Sequence, residues 1–120
     1  MDDDDLYERT YQFGVRVIKL VRALADTPES RNVRNQLSRS GPSVGANYRA
    51  ARRGRSRREF LSRLGVVEEE ADESAYWLRF IIDTEMLPAP RVQPLLDEAK
   101  ALTAIFVKSR KTTRANGVDG

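Results

Sequence analysis

Arginine dominates the middle of this 120-residue sequence and is the residue type there with the clearest chemistry. Between Arg31 and Arg63 stand ten arginines and one acid, Glu59, so this third of the chain carries a formal charge of +9, while the whole chain carries +3. A guanidinium group pairs in a fork with a carboxylate or a phosphate, whereas a lysine ammonium acts as a point charge. We therefore predict that the segment attracts anions, either phosphates or the carboxylates of another chain. A solvated basic surface without a partner is the plainer alternative.

Most of these arginines fall on one side of a predicted helix. At about 100° per residue, six of them lie within an arc of about 140°, opposite the apolar stripe, and three more extend the charge into the next helix. We predict that this surface binds RNA or DNA through phosphates, with a steep salt dependence and little sequence preference. Tyr48 is the one aromatic residue among them and is assigned to the core, so stacking of unpaired bases has little support. The candidate nucleic-acid-binding residues are Arg31, Arg34, Arg39, Arg49, Arg52, Arg53, Arg55, Arg57 and Arg58.

The sequence contains no histidine and no cysteine. Their absence removes the usual general base, the commonest transition-metal ligand and the thiolate nucleophile. Gly41 and Gly45 do not form a phosphate-binding loop, because no strand precedes them and no Gly-Lys-Ser or Gly-Lys-Thr follows. We therefore predict no catalytic residue, no metal ligand and no cofactor, and we expect that the protein is not an enzyme.

A run of acids lies further along the chain. The stretch from Glu68 to Glu73 holds five acidic residues, and like charges four residues apart weaken a helix by about 0.2–0.5 kcal/mol per pair. One interpretation is a solvated acidic face. The other is that arginines from this chain or a neighbouring one lie opposite, and a site for a hard cation is the least favoured.

Periodicity and helix-end signals predict four helices. Thr27-Pro28-Glu29 supplies an N-cap and a first-turn proline, and Ser56 with Glu59 has the capping-box spacing. Pro88 and Pro90 end the third helix. Because short linkers favour antiparallel neighbours, we predict an all-α, up-down-up-down antiparallel four-helix bundle. The prediction is one domain over residues 1–112, with helices at about 6–25, 29–53, 57–86 and 91–111, and a disordered tail at 113–120.

The apolar stripe of the second helix continues across a proline. Because the stripe resumes in phase after Gly41-Pro42, and because an internal proline removes one backbone donor and clashes with the preceding turn, we predict one kinked helix rather than two helices. The stripe consists of Val33, Leu37, Ser40, Val44 and Tyr48.

The first helix is apolar around most of its circumference, so it must be covered on more than one side. In a bundle of this size, we expect it to contact another subunit as well as its own core. Trp77 and Phe80 lie beside the apolar stripe of the third helix, which suits an oligomer interface; alternatively, Trp77 covers the end of the bundle. The predicted interface residues are Tyr7, Phe13, Val17, Trp77 and Phe80.

Three segments together resemble a known family. The spacing between the first two is specific, since Asn47 and Phe60 stand thirteen residues apart. From about Tyr7 to Lys111 the chain resembles the bacterial four-helix-bundle proteins called 23S rRNA intervening-sequence proteins. These are similar to the accessory variability protein of diversity-generating retroelements. The segments that carry the resemblance are 39–51, 56–60 and 68–78.

The resemblance implies an up-down four-helix bundle that assembles as a ring-like homopentamer. It also implies partners, because the retroelement relatives bind nucleic acid and a reverse transcriptase through a basic surface. It supplies no catalytic residues. The sequence departs from the family pattern at Ala50, where glutamate is usual, and at Pro42, where threonine is more frequent. Loss of the acid at position 50 raises the local positive charge.

The sequence supports two candidate functions for this protein. No apolar run is long enough to cross a membrane, and the acidic N-terminus does not suit a signal peptide, so we expect a cytoplasmic protein without a membrane partner. The leading hypothesis is a non-enzymatic homo-oligomeric bundle whose arginine face binds nucleic acid or a nucleic-acid-processing protein. The alternative is a purely structural self-assembly module, in which the arginines pair with the acidic run of the third helix across subunits.

Overall fold

The structure is a computed structural model that describes residues 3–116. Its elements are four helices, and these residues include no strand, which confirms the all-α prediction. The helices pack side by side into an elongated body of 49 × 21 × 21 Å, as expected of a bundle. They are α1 (Asp3–Val21), α2 (Pro28–Arg52), α3 (Arg57–Asp83) and α4 (Ala89–Asn116).

Two helices start at the residues that the capping signals indicated. The hydroxyl of Thr27 accepts a hydrogen bond from the backbone N–H of Ser30, and Pro28 occupies the first helical position of α2. The hydroxyl of Ser56 accepts from the N–H of Glu59. The Glu59 carboxylate accepts from the N–H of Arg55, one residue before the position it reaches in a capping box.

Helices α1 and α3 end earlier than predicted. After Val21 the hydrogen bonds tighten to three-residue spacing, which leaves room for the extended Thr27 that starts α2. Helix α3 stops at Asp83 because Glu85 adopts the left-handed conformation, with φ 60°. The N–H of Met86 then bonds to the carbonyl of Ile81, closing a Schellman motif. Glycine usually occupies the left-handed position, so Glu85 gave no signal in the sequence that the helix ends there.

Helix α4 is longer than predicted at both ends. It begins at Ala89, so Pro94 lies inside the helix rather than in its first turn, and it continues to Asn116. Residues 113–116 are therefore helical, although the prediction assigned them to a disordered tail; residues 117–120 lie outside the described residues. The physical reason is composition, since the stretch after Val107 is rich in lysine and arginine, both good helix formers, and contains no glycine before Gly117.

The core follows the predicted stripe of α2. All five stripe residues are buried, and the hydroxyl of Ser40 accepts a hydrogen bond from Ser74 of α3 at 2.9 Å. Tyr48 packs against Tyr7 of α1 and Phe106 of α4, with ring centroids 5.3 and 5.4 Å away. A further link between α1 and α4 is the ion pair of Arg9 with Glu98, 2.7 Å long, which raises the pKa of Arg9 through the hydrogen bond.

Glycines let α1 and α2 approach each other closely. A Cβ atom placed on Gly41 would lie 2.6 Å from Cγ1 of Val17, and one on Gly14 would lie 3.0 Å from the Cα of Pro42. On Gly45 it would come within 3.2 Å of the backbone of Thr10. Gly41 and Gly45 therefore form part of the surface on which α2 packs against α1. Helix α2 passes through Gly41-Pro42 without interruption, and the bend expected there stays a prediction.

We expect Gly41→Ala to lower the free energy of unfolding by about 2 kcal/mol, because the added methyl group overlaps a fully buried valine that cannot move aside. Gly65→Ala is the matched control, since a Cβ atom there meets no atom within 4 Å. It should raise the free energy of unfolding by about 0.5–1 kcal/mol through helix propensity alone. Chemical denaturation of both variants measures the difference. Equal effects would show that the α1–α2 crossing tolerates a side chain.

Candidate nucleic-acid interface

The nine predicted arginines do not form one continuous surface. Arg31 and Arg53 are separated by about 33 Å along the helix axis at 1.5 Å per residue, and the two halves of α2 have different surroundings. Near the start and middle of α2, arginines contact groups of the same chain. At its end, arginines of α2 and α3 gather on an open surface. The candidate interface is therefore one end of the bundle rather than a whole helix face.

Arg39 is neutralised by α3. Its guanidinium donates to the carboxylate of Glu70 at 2.8 Å and to that of Glu73, and these hydrogen bonds raise its pKa, the one to Glu73 most. The acidic run thus lies opposite arginines of the same chain, as one of its interpretations proposed. Glu68 pairs with Arg110 of α4 at 2.7 Å. The remaining acids of the run, Glu69 and Asp72, are exposed.

Arg34 and Arg31 serve the turn between α1 and α2. Arg34 is half-buried, and its Nη2 donates to the carbonyl oxygen of Leu24 at 2.7 Å and to that of Ala25 at 3.4 Å. Arg31 pairs with Asp26 at 2.9 Å, with both side chains exposed. These contacts give Arg34 and Arg39 structural roles. Arg31 lies at the opposite end of α2 from the remaining arginines, so none of the three belongs to the basic surface described next.

The other predicted arginines gather where α2 ends and α3 begins. Arg49 and Arg52 lie in the last turn of α2, where a cation is favoured by the helix dipole. Arg57 and Arg58 lie in the first turn of α3, where the dipole disfavours a cation. All are exposed. With neighbours from α3 and α4, they form what we call the basic end: Arg49, Arg52, Arg53, Arg55, Arg57, Arg58, Arg63, Lys108, Lys111 and Arg114.

Three of these residues come from α4 and were not predicted. Lys108 lines a shallow hollow together with Arg52 and Phe60, and Thr113 lines another with Arg57. The extra turn of α4 adds Arg114 as a helical residue at the same end of the molecule, and Lys111 stands three residues before it. The available signal was the run of helix formers up to Asn116. Arg63, also outside the predicted set, lies in the second turn of α3.

Four arginines of the basic end line a hollow of about 720 Å³. Its one carboxylate is Glu59, which lies 3.5 Å from Arg63 and accepts the N–H of Arg55 at 3.1 Å. We call this cavity the arginine hollow. It is lined by Arg49, Arg53, Arg55, Arg63, Glu59, Ala46 and Ala50.

Acids lie beside the basic end as well. The start of α1 is acidic, and Asp4 and Glu8 line a neighbouring groove together with Arg49. That groove, of about 840 Å³, runs between α1 and α2 past Tyr7, Tyr11 and Ile18. The basic end therefore has an acidic border on the α1 side.

Two of the predicted interface residues lie in the wrong place for that role. Phe13 and Val17 are completely buried within the chain, because α1 turns them toward α2 and the core, so they are corrected to core residues. Tyr7 is half-buried in the groove. Tyr11, which is not among the predicted interface residues, has a side chain that is 63% exposed.

Trp77 and Phe80 belong to an aromatic cluster on α3. Their rings lie 5.6 Å apart, and the ring of Tyr76 lies 4.9 Å from that of Trp77. Trp77 and Phe80 are half-buried against the core, while Tyr76 is 59% exposed. Tyr76, which sequence reasoning did not select, gives the cluster its exposed surface.

Metal sites and membrane-spanning helices were also sought in the described part of the chain. Residues 3–116 contain no group of three or more histidine, cysteine, aspartate or glutamate side chains that could hold a metal ion. Within the same residues, no helix is long and apolar enough to span a membrane.

Comparison with known proteins finds one family and a solved structure. A family model described as 23S rRNA-intervening sequence protein matches residues 2–108. The chain is also similar to a crystal structure from Bacteroides thetaiotaomicron, described as a protein with unknown function from the S23 ribosomal protein family. The two share 28% sequence identity over 88% of this chain and 97% of that chain, with a TM-score of 0.81. No curated protein sequence matches the chain.

We expect Arg34→Ala to lower the free energy of unfolding by about 1–2 kcal/mol, because it leaves the carbonyl of Leu24 without its charged donor. Arg31→Ala, three residues away with an exposed ion pair, should change it by less than about 0.5 kcal/mol. Urea denaturation of the two variants tests the assignment. Two equally small effects would mean that Arg34 does not hold the α1–α2 turn.

Proposed function

The chain belongs to the 23S rRNA-intervening sequence protein family, and we propose that it is a non-enzymatic nucleic-acid-binding bundle that grips phosphates with its basic end. The observation that carries this proposal is the concentration of exposed arginines and lysines at the junction of α2, α3 and the end of α4. Arg39, whose charge is neutralised by Glu70 and Glu73, takes no part.

The electrostatics of the basic end favour an anionic ligand. Arg57 and Arg58 stand in the first turn of α3, where each cation costs about 0.3–1 kcal/mol against the helix dipole. A bound phosphate would relieve that repulsion, and counterions released from the nucleic acid would add to the affinity. The binding energy would thus come from charge rather than from shape.

The aromatic residues near the basic end favour contact with the sugar–phosphate backbone. Tyr48 is buried, Phe60 is half-buried with the guanidinium of Arg52 5.9 Å from its ring, and Tyr7 is half-buried. None of these three side chains is fully exposed, so stacking of bases on them has little support. We therefore propose binding with little base preference, in the cytoplasm, where the protein would meet RNA and DNA.

A triple variant tests this function. Arg57→Gln, Arg58→Gln and Lys111→Gln together should leave the helical content unchanged, because all three side chains are exposed. They should weaken binding to a mixed-sequence RNA by about tenfold or more, which corresponds to about 1.4 kcal/mol. The slope of log affinity against log salt should fall in magnitude by up to about 3. Filter binding across a salt series measures both quantities.

The matched control removes the same charge from the other end of the bundle. Arg22→Gln, Arg31→Gln and Arg91→Gln change three exposed arginines and should alter RNA affinity by less than about threefold, through long-range screening alone. An equal loss of RNA affinity in both triple variants would show that net charge alone accounts for the effect. Absence of RNA and DNA binding at low ionic strength would end the proposal.

We propose in addition that the helices alternate in direction and that the bundle assembles with copies of itself, as a pentamer by resemblance. Two pairs support the alternation. Tyr7 with Tyr48 joins the start of α1 to the end of α2, and Glu68 with Arg110 joins the first half of α3 to the last third of α4. The exposed aromatic cluster on α3 supports assembly. A reverse transcriptase or similar nucleic-acid-processing protein is a further partner of this proposal.

A purely structural assembly module is the second candidate, favoured by the same aromatic cluster. The ion pairs between subunits that this candidate requires are fewer than the sequence suggested, because Glu68, Glu70 and Glu73 have arginine partners within the chain. The exposed Glu69 and Asp72 remain available to arginines of a neighbouring subunit. High salt that dissociates the assembly would favour this candidate, whereas a salt-stable assembly with salt-sensitive RNA binding favours the first.

Trp77→Ala should loosen self-assembly by about 2 kcal/mol per contact, because aromatic residues at interfaces commonly contribute that much. Since Trp77 also packs against the core, its loss alone could act through the monomer. Tyr76→Ala removes an exposed ring of the same cluster and should loosen assembly while leaving the melting temperature nearly unchanged. Sedimentation velocity over a concentration series measures both variants. Unaltered profiles would assign the cluster to the surface of the single chain.

A further inference from the structure

The arginine hollow differs from the other hollows of the basic end in its lining, which includes four arginines. Arg49 and Arg53 reach it from α2, Arg55 from the connection, and Arg63 from α3. Arginines from three segments therefore line one space. At about 720 Å³, the hollow falls in the size range of sites that hold small ligands.

The hollow carries more positive charge than its own carboxylate can balance. Glu59 is its one acid, and that side chain already contacts Arg63 and the backbone N–H of Arg55. Ala46 and Ala50 supply the remaining lining without any charge. The exposed guanidinium groups of Arg49, Arg53 and Arg55 thus leave the hollow with a surplus of donors and positive charge.

The anion that matches this surplus is a phosphate monoester. A monoester carries a charge of about −1.5 to −2 at neutral pH and presents three strong acceptor oxygens. An internal phosphodiester of a nucleic acid strand carries a single charge. Several guanidinium forks that converge on one space can each pair with two oxygens, which a monoester satisfies better than a diester.

We propose that the arginine hollow binds the terminal phosphate of a nucleic acid strand, with the strand leaving across Arg52, Arg57 and Arg58. The inference rests on the proposed function, because the basic end would hold the backbone that follows the terminal phosphate. Arg53 and Arg55 line the hollow and stand one and two residues from Arg52 and Arg57 in the sequence. The protein then distinguishes strand ends from strand interiors without reading bases.

The test compares short RNA strands of one sequence that carry a 5′-phosphate, a 3′-phosphate or hydroxyl groups at both ends. Fluorescence polarisation with the full-length protein gives each dissociation constant. We expect at least one phosphorylated strand to bind about tenfold more tightly than the hydroxyl strand, a difference of about 1.4 kcal/mol. Equal affinities for all three strands would overturn the inference and leave the proposed function intact. Absence of binding to any strand would overturn both.

Two paired variants locate the effect. Arg53→Gln with Arg55→Gln should abolish the preference for the phosphorylated strand, because both side chains line the hollow. Arg57→Gln with Arg58→Gln removes the same charge outside it and should weaken all strands by the same factor. Arg53→Lys with Arg55→Lys keeps the charge but not the fork, so it should retain general binding and lose most of the preference. A preference that survives the hollow pair would overturn the inference.

Competition identifies the source of the phosphate. Inorganic phosphate should remove the preference for the phosphorylated strand at concentrations that leave binding of the hydroxyl strand unchanged. A phosphoserine peptide that binds more tightly than the phosphorylated RNA would overturn the assignment to nucleic acid. Circular dichroism melts of each variant, matched to the unmodified protein, ensure that a changed affinity reports on the hollow rather than on unfolding.

Discussion

Helices α1 and α2 cross at a distance that only glycine permits, and this contact sets the geometry of the bundle. At Gly41 a single added carbon would overlap Val17, so α2 can rotate very little about its own axis. Its stripe from Val33 to Tyr48 is thereby directed into the core. The arginines between the stripe residues are then turned outward or toward α3. Gly41 and Gly45 resemble a phosphate-binding loop in composition, but they act as a packing surface.

The charges of the bundle separate along its length because of which residues α3 presents to α2. Along the middle of α3, Glu70 and Glu73 lie opposite Arg39, and the charges cancel. Where α3 begins, its first turn carries Arg57 and Arg58 instead. The charge of the same arginine-rich helix is therefore partly neutralised in one half and concentrated in the other. The proposed binding of nucleic acid by the basic end and the proposed site for a strand end both follow from that asymmetry.

The basic end and the aromatic cluster occupy different parts of the molecule. The aromatic cluster from Tyr76 to Phe80 lies in the last third of α3, whereas the basic end surrounds its first turns. At 1.5 Å per residue, about 30 Å of helix separates Arg57 from Trp77. Self-assembly through one region would leave the other open, so a ring of subunits could present several basic ends at once. Membership of the 23S rRNA-intervening sequence family fits such a scaffold without specifying its ligand.

The sequence by itself determined the four helices, two of their caps and the core stripe of α2, because hydrophobic period and capping chemistry act within a few residues. It did not determine where α3 ends, since Glu85 takes a conformation that usually marks glycine. The sequence also did not show that Phe13 and Val17 belong to the core rather than to an outer surface. An almost wholly apolar helix does not reveal which of its sides the neighbouring helices cover. Only the tertiary structure decided which arginines are neutralised, since Arg39 and Glu70 stand 31 residues apart in sequence. Ion pairing depends on distance in space, and the packing of the helices sets that distance.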